Sequence, residues 1–387
     1  MKTIQKNFRI GREIYSFRVH ALNHAFRDSH PPIPAVLGDP QEPLQMYPQE
    51  IAGFGQAVGP GYVSVPFVFP QVGNQRYGDF VGIAGQREFA HTRVTISDEP
   101  LRLVRPMQDV RRFAELAQLL RFPKSDHCAC VRGLHLVDGQ PTFILGSGPY
   151  EEVFATMNSQ GLRFELSERQ KDAAELIAGK RGRKELESLA LDLQKRYGTV
   201  TVRQAVHKHC GGLPGFGDAV ASYLIGMAAI ITTSDGYVVF GRRARQRVSV
   251  NTGINLATSG GFIFDREHIE GLGFARFVVD EIHREMHEEV GLLGSDCAVT
   301  VLALLREIAR AGSPEILALI EFFGTLRDFL KVVESNHHPE QDVDAIFALP
   351  LRHARQLVHD PKAGKVLQPK ALAALIMLDR HLRANGS

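Results

Sequence analysis

The chain has 387 residues, of which 44% are apolar and 23% charged, with a formal net charge of +2. That length allows two cores; the composition excludes a disordered chain and gives no reason to expect nucleic acid or an acidic membrane as the main partner. Cys128, Cys130, Cys210 and Cys297 are too few and too scattered for a disulfide framework and suit a reducing compartment. The opening "MKTIQKNFRI" lacks the apolar run of a signal peptide, and "YLIGMAAII" (223–231) is too short to cross a bilayer, so a cytoplasmic protein is expected.

Residues 1–160 are expected to form a β-rich N-terminal domain. Phe and Val recur in short runs such as "GYVSVPFVF" (61–69) and "HLVDGQPTFIL" (135–145), with Asp138-Gly139 as a hairpin signal in the latter. The proline-crowded "HPPIPAVLGDPQEP" (30–43) is expected as a loop or an edge. Residues 161–219 form a helical connector. It opens at Ser167-Glu168, breaks near Gly179–Gly182 and ends in "GGLPGFGD" (211–218), expected to be flexible. "KRGRK" (180–184) is more simply a solvated face than a binding patch.

Residues 220–387 hold a mixed order of elements. Two strand patterns flank Asp235-Gly236, and "INLATSGGF" (254–262) is a short strand ending in paired glycines. "GFARFVVDEIHREMHEEVGLL" (273–293) predicts a helix, followed by strands in "AVTVLALLREIA", "EILALIEFFGTL" and "VDAIFALPL" (343–351) and a closing helix over 370–382. Strands and helices do not alternate strictly, so the fold class is α+β, or an αβα sandwich, rather than a doubly wound parallel sheet.

The helix concentrates negative charge before its glycine stop. At 100° per residue Glu281, Glu285, Glu288 and Glu289 fall within roughly a third of the circumference, beside the expected core row Val279, Ile282, Met286 and Val290. Carboxylates at the edge of a buried face repel one another, and raised pKa values or a bound cation relieve the repulsion. Hard oxygen ligands suit Mg²⁺ or Mn²⁺ rather than zinc. A surface helix of ion pairs, with Asp280–Arg284 as an i,i+4 example, is the plainer alternative. Gly260-Gly261 ahead of the helix and Gly291 behind it shift the balance toward a site.

Residues 284–292, "REMHEEVGL", match the second half of the Nudix box, G-x5-E-x7-R-E-U-x-E-E-x-G-U, where U is a bulky aliphatic residue. The order of elements over 220–387 also resembles the Nudix fold, which implies an αβα sandwich with a mixed sheet. The resemblance implies that Glu285, Glu288 and Glu289 are metal ligands, joined by the backbone carbonyl of Gly260 or Gly261, with Mg²⁺ or Mn²⁺ as cofactor. Arg284 then corresponds to the arginine that orients a box glutamate. A further acidic residue usually comes from downstream: Glu340 is the first choice and Glu315 the second, Glu315 being grouped also with substrate-binding residues. Catalysis would rest on Glu285, Glu289, Glu340 and Arg284. The first half of the box departs from the pattern, because Arg276 stands where glutamate is expected and Glu270 where glycine is expected. The usual salt bridge to Arg284 is thereby lost, and Glu281 can partly substitute. The order of pieces, with "GMAAIITTSDGYVVFGRRARQ", "TSGGF" and "QPKALAALIMLDRHL", is similar to the UDP-glucose-type diphosphatases of the superfamily.

The expected reaction is Mg²⁺-dependent hydrolysis of the diphosphate bond in a nucleoside diphosphate linked to another group, a UDP-sugar being one case. Arg242, Arg243, Arg245 and Arg247 could hold the diphosphate, or could equally be a charged edge strand. Tyr237 or Phe262 could stack on a base, with core packing the simpler role for each. The rival reading is a non-catalytic Nudix-like module that senses a nucleotide or acts as a scaffold. The partner is a small-molecule nucleotide, with no nucleic acid or membrane, and a homo-oligomer is left open. "HREMH" (283–287) is not a zinc-peptidase helix, since Arg284 follows the first histidine. Pooling His127, Cys128, Cys130, His207, His209 and Cys210 around zinc needs two distant segments to meet and lacks C-x2-C spacing. Ser147 lacks a nucleophile elbow, and "GGLPGFGD" has no P-loop lysine.

Overall fold

The structure of the protein, a computed structural model, describes residues 2–10, 13–21, 62–63, 80–117, 127–137, 140–153, 156–157, 162–211, 214–243, 254–307, 310, 312–336, 343–360, 363 and 366–386. The proline-rich run at 30–43, most of 61–69, and the positions Arg245, Arg247 and Glu340 lie outside the described residues. In the first half the strands are β1 (Lys2–Ile10), β2 (Glu13–Ala21), β3 (Tyr62–Val63), β4 (Phe80–Gly85), β5 (Arg93–Ile96), β6 (His127–Val137) and β7 (Gln140–Pro149). In the second half they are β8 (Tyr223–Leu224), β9 (Gly226–Thr233), β10 (Tyr237–Arg243), β11 (Asn255–Leu256), β12 (Thr258–Gly261), β13 (Cys297–Glu307), β14 (Ser313–Phe322) and β15 (Val343–Pro350). The longer helices are α1 (Arg105–Ala117), α2 (Glu168–Tyr197), α3 (Val202–Cys210), α4 (Arg266–Leu272), α5 (Phe274–Val290), α6 (Leu326–Ser335), α7 (Leu351–Val358) and α8 (Pro369–Ala384).

"GMAAII" is apolar at consecutive positions, which suits a strand covered on both faces. β9 is that strand: it pairs in parallel with β14 and antiparallel with β10 and β12. Around it runs the order β1-β2-β15-β10-β9-β14-β13-β4-β3. Met227, Ala229 and Ile231 face one core with Phe277, Ile282 and Met286 of α5. Ala228 and Ile230 face the other core, with Leu372, Leu375 and Leu378 of α8. The fold is therefore α+β, a mixed sheet with helices on both faces. Among the described residues no helix is long and apolar enough to cross a membrane.

The expected boundaries at 160 and 220 are crossed by strand pairing. β2 pairs with β15, β4 with β13, and β6 of a second sheet (β5-β7-β6-β8) with β8. α2 has Ser167 as its N-cap and non-helical backbone at Ala178 and Gly179, where the break is expected. Val278, not Val279, is the buried valine of α5, because it shares an i,i+4 row with Ile282 and Met286.

The segment around "GGLPGFGD" is not a free connector where it is described. Arg306 on β13 is 0% exposed and donates to the carbonyls of Pro214 and Gly312, each at 2.7 Å. Its guanidinium lies 4.1 Å from the Phe216 ring centroid and 5.6 Å from that of Tyr223, two rings that meet edge to face, so the cation packs against both and the segment is pinned. Hydrogen bonds from a charged donor contribute about 1.5–3 kcal/mol each. Arg306→Ala is expected to lower the unfolding free energy by roughly 3 kcal/mol or more in urea titrations, with Arg306→Lys recovering only part, since an ammonium cannot reach both carbonyls and stack.

Candidate functional site

α5 starts after Gly273 and ends at Gly291, whose left-handed φ of 78° and N–H to the His287 carbonyl at 2.9 Å close the last turn. Its 3.6-residue period sets Glu281, Glu285, Glu288 and Glu289 along the edge that meets β12. The paired glycines let that edge approach: a Cβ at Gly260 would run into the Glu285 carboxylate. Glu285 and Glu289 are buried, at 8% and 6% exposure. Glu289 accepts a hydrogen bond from the Ser259 amide at 2.8 Å. Glu281 accepts one from the Ile263 amide, also at 2.8 Å. The helix is thus joined through carboxylates to β12 and to the residues just beyond its glycines.

Arg284 lies in the middle of this set. It meets Glu281 at 3.0 Å, Glu285 at 2.8 Å and Glu288 at 2.7 Å, and its Nη2 donates to the Gly261 carbonyl at 3.3 Å. The expected Asp280–Arg284 pair is not formed; Asp280 meets Arg276 at 3.1 Å and His268 at 3.0 Å instead. Arg276 therefore takes no part in the site, and Glu281 supplies the acidic partner that Arg284 lacks at 276.

Burial opposes the Arg284 charge, but the hydrogen bond to Glu281 and the nearby Glu285 and Glu288 outweigh it and raise its pKa. Burial likewise pushes the Glu285 carboxyl up to about 7; Arg284 pulls against the shift, and Glu288 and Glu281 add to it. Glu281, Glu285 and Glu288 carry three negative charges against one guanidinium. In kind, this donor set fits a hard divalent cation: buried and half-buried carboxylates, with the carbonyl of Gly261 alongside. In the arrangement here they turn toward Arg284, and among the described residues no three acidic, His or Cys side chains are grouped to hold a metal ion.

Other expected residues lie elsewhere. Glu315 is 0% exposed on β14 and shares the face of Leu317 and Leu319, across the sheet from α5. There it meets Lys370 at 2.8 Å and approaches Arg310 at 4.0 Å; burial foremost raises its pKa, with Lys370 opposing. Arg242, half-buried, has the parity of Val238 and Phe240, which pack under α8 rather than α5. Tyr237 is packed at the edge of the core and Phe262 is fully buried, the simpler role for each. His287 is exposed and His283 packs against Gly294, away from the carboxylates.

Sequence reasoning did not find the Ser259 and Ile263 amides, nor that β6 flanks the site. The Ala129 amide donates to the Phe262 carbonyl at 2.8 Å, and the Phe264 amide to the His127 carbonyl at 2.8 Å. Backbone partners of this kind leave no side-chain signal.

No family model matches the chain, and no curated protein matches it. Part of it is similar to solved structures. One is a Nudix hydrolase from M. smegmatis, RenU, 15% identical over 42% of this chain and 84% of that one, with a TM-score of 0.26. Another is an ADP compounds hydrolase, 20% identical over 42% and 75%, with a TM-score of 0.27. A third is the E. coli ORF135 protein, 20% identical over 42% and 91%, with a TM-score of 0.23.

The raised Glu285 pKa sets a pH dependence. Its protonated form is favoured by folding, so its stabilising contribution is complete below about pH 4.5 and is lost as pH rises through about 7. Without divalent cations, Glu285→Gln is expected to be more stable than wild type at pH 8, by about 1–3 kcal/mol, and no more stable at pH 4. Urea unfolding at the two pH values in EDTA reads the crossover.

Proposed function

We propose that this chain hydrolyses the diphosphate bond of a nucleoside diphosphate linked to another group, with Mg²⁺ or Mn²⁺ as cofactor. The observation that carries this reading is the gathering of Glu281, Glu285 and Glu288 on the single Arg284 guanidinium, against the Gly260-Gly261 strand end. A solvated helix face would spread such charges into water. Here Glu285 and Glu289 are buried, and the backbone has been cleared of side chains to admit one of them.

Glu285, Glu288 and Glu289, with the Gly260 or Gly261 carbonyl, would hold the cation. Bound there, it would polarise a phosphoryl oxygen and neutralise charge on the departing phosphate. Arg284 anchors the carboxylates, so that they are positioned before substrate arrives. The Ser259 amide does the same for Glu289. A glutamate not engaged in holding the cation would accept the proton of the attacking water: Glu340, or whichever of Glu285 and Glu289 is left free. Arg243, at the end of β10, and Arg245, in the segment after it, are proposed to bind the diphosphate, whereas Arg242 and Glu315 keep to the α8 face of the sheet. A UDP-sugar is the substrate suggested by the order of pieces along the chain.

The test is turnover of a panel of nucleoside diphosphate derivatives, UDP-sugars included, with Mg²⁺ or Mn²⁺. Wild type is expected to release a mononucleotide from at least one of them, and Glu289→Gln to lower kcat by about a hundredfold or more. Identical background from the two proteins across the panel refutes the hydrolase reading. Thermal stabilisation by a nucleotide without turnover would instead assign a binding module.

A further inference from the structure

The reaction proposed above makes no use of the second sheet, yet a cleft of about 510 Å³ opens beside it. Its lining includes Ser97, Glu99, Arg102, Arg132, Phe216 and Ala219. Three independent features converge on it.

The first is the placement of Arg132. Val131 pairs with Leu145 and Gly133 with Ile144, so Arg132 is the extra residue of a β-bulge. Bulges re-aim a side chain, and this one lies back across β7. A Cβ at Gly146 would stand 2.9 Å from Arg132 Nε, and one at Gly148 would stand 3.5 Å from Nη2. Two glycines in "LGSGP" thus leave room for one guanidinium, and Nη2 donates to the Ser147 carbonyl at 2.6 Å.

The second is that the guanidinium is incompletely satisfied. Nε and Nη1 are buried and meet no hydrogen-bond acceptor among the described residues. Burial lowers the Arg132 pKa, with Cys130 and Glu152 opposing only in part. Buried donors without acceptors are costly and rare in folded proteins.

The third is the opposite wall. Ala219 has φ 52°, the one positive-φ non-glycine among the described residues, and its carbonyl is held there by the Val104 amide at 3.0 Å. Such backbone strain collects at ligand sites. Arg102, exposed on the rim, adds a second cation against the carboxylate of Glu99, leaving the lining net positive.

We propose that this cleft binds a small molecule through an oxyanion, a phosphate or carboxylate group, seated on the Arg132 guanidinium. The ligand supplies the acceptors that the protein withholds. Nε and Nη1 are shut off from water, so seating the oxyanion requires the guanidinium to turn into the cleft that it lines. The inference is independent of the hydrolase reading.

Isothermal titration calorimetry on the full chain in EDTA tests it, with inorganic phosphate and acetate as separate probes. Without a divalent cation, the acidic site on α5 repels both. At least one probe is expected to bind saturably, and Arg132→Gln and Arg102→Glu should each weaken it by about tenfold or more. Glu289→Gln should leave that binding intact. Phosphate alone binding identifies a phosphate ligand, and acetate alone a carboxylate ligand. Absence of saturable binding of either probe up to about 50 mM overturns the proposal. Binding that survives both arginine substitutions, or that is lost in Glu289→Gln alone, does so as well. Should Arg132→Gln fail to fold, Arg102→Glu decides, because that side chain is on the surface.

Discussion

One guanidinium divided among three carboxylates governs the architecture of the acidic site. Arg284 can neutralise one of Glu281, Glu285 and Glu288, and it touches all three. Holding them together is tolerable only with hydrogen bonds from the neighbouring strand, which is why the Ile263 amide meets Glu281. Those bonds require β12 to lie close against α5, and closeness requires glycine at 260. β12 is in turn held by β9, where Gly260 pairs with Met227 and Gly261 with Gly226. A buried central strand, a side-chain-free strand end and an over-charged helix edge are links in one chain of dependence.

The second sheet is tied to that same strand end. β6 begins beside Phe262–Phe264 through backbone hydrogen bonds and continues to Arg132 and its cleft. The aromatic contact of Phe143 on β7 with Phe274, the first residue of α5, adds a side-chain link at 5.4 Å. The N-terminal strands therefore complete the sheet around the site rather than stand apart from it. β2 and β4 extend the central sheet on its two flanks, beyond β15 and β13.

What could be seen in the sequence was what has a short period. The glutamate row, the glycine stop at 291, the Ser167 cap and the break at Gly179 follow from local backbone geometry, and each is present. What could not be seen depends on which strands meet. Glu315 looks like a spare acid near the box, but strand alternation sends it with Leu317 and Leu319 to the α8 face. Arg242 goes with Val238 and Phe240 for the same reason. Nothing local marks 160 or 220 as places where hydrogen bonding crosses, because the partners of β2 and β4 are far along the chain. Pro214–Phe216 reads as a loose linker from its glycines, and is pinned by an arginine on β13, 92 residues away.

α5 does not follow the glycine strand directly. Here α4 intervenes, capped by the Asp265 side chain on the His268 amide at 3.0 Å and ended at Gly273, where the chain turns into α5. Arg276 sits on the exposed first turn of α5, paired with Asp280, while the paired glycines lie against Glu285. Glu281, one turn before Arg284 on the same edge, holds the guanidinium and, through the Ile263 amide, the chain just beyond β12. The acidic partners of Arg276 and Arg284 are therefore settled within α5, each by a carboxylate about one turn away.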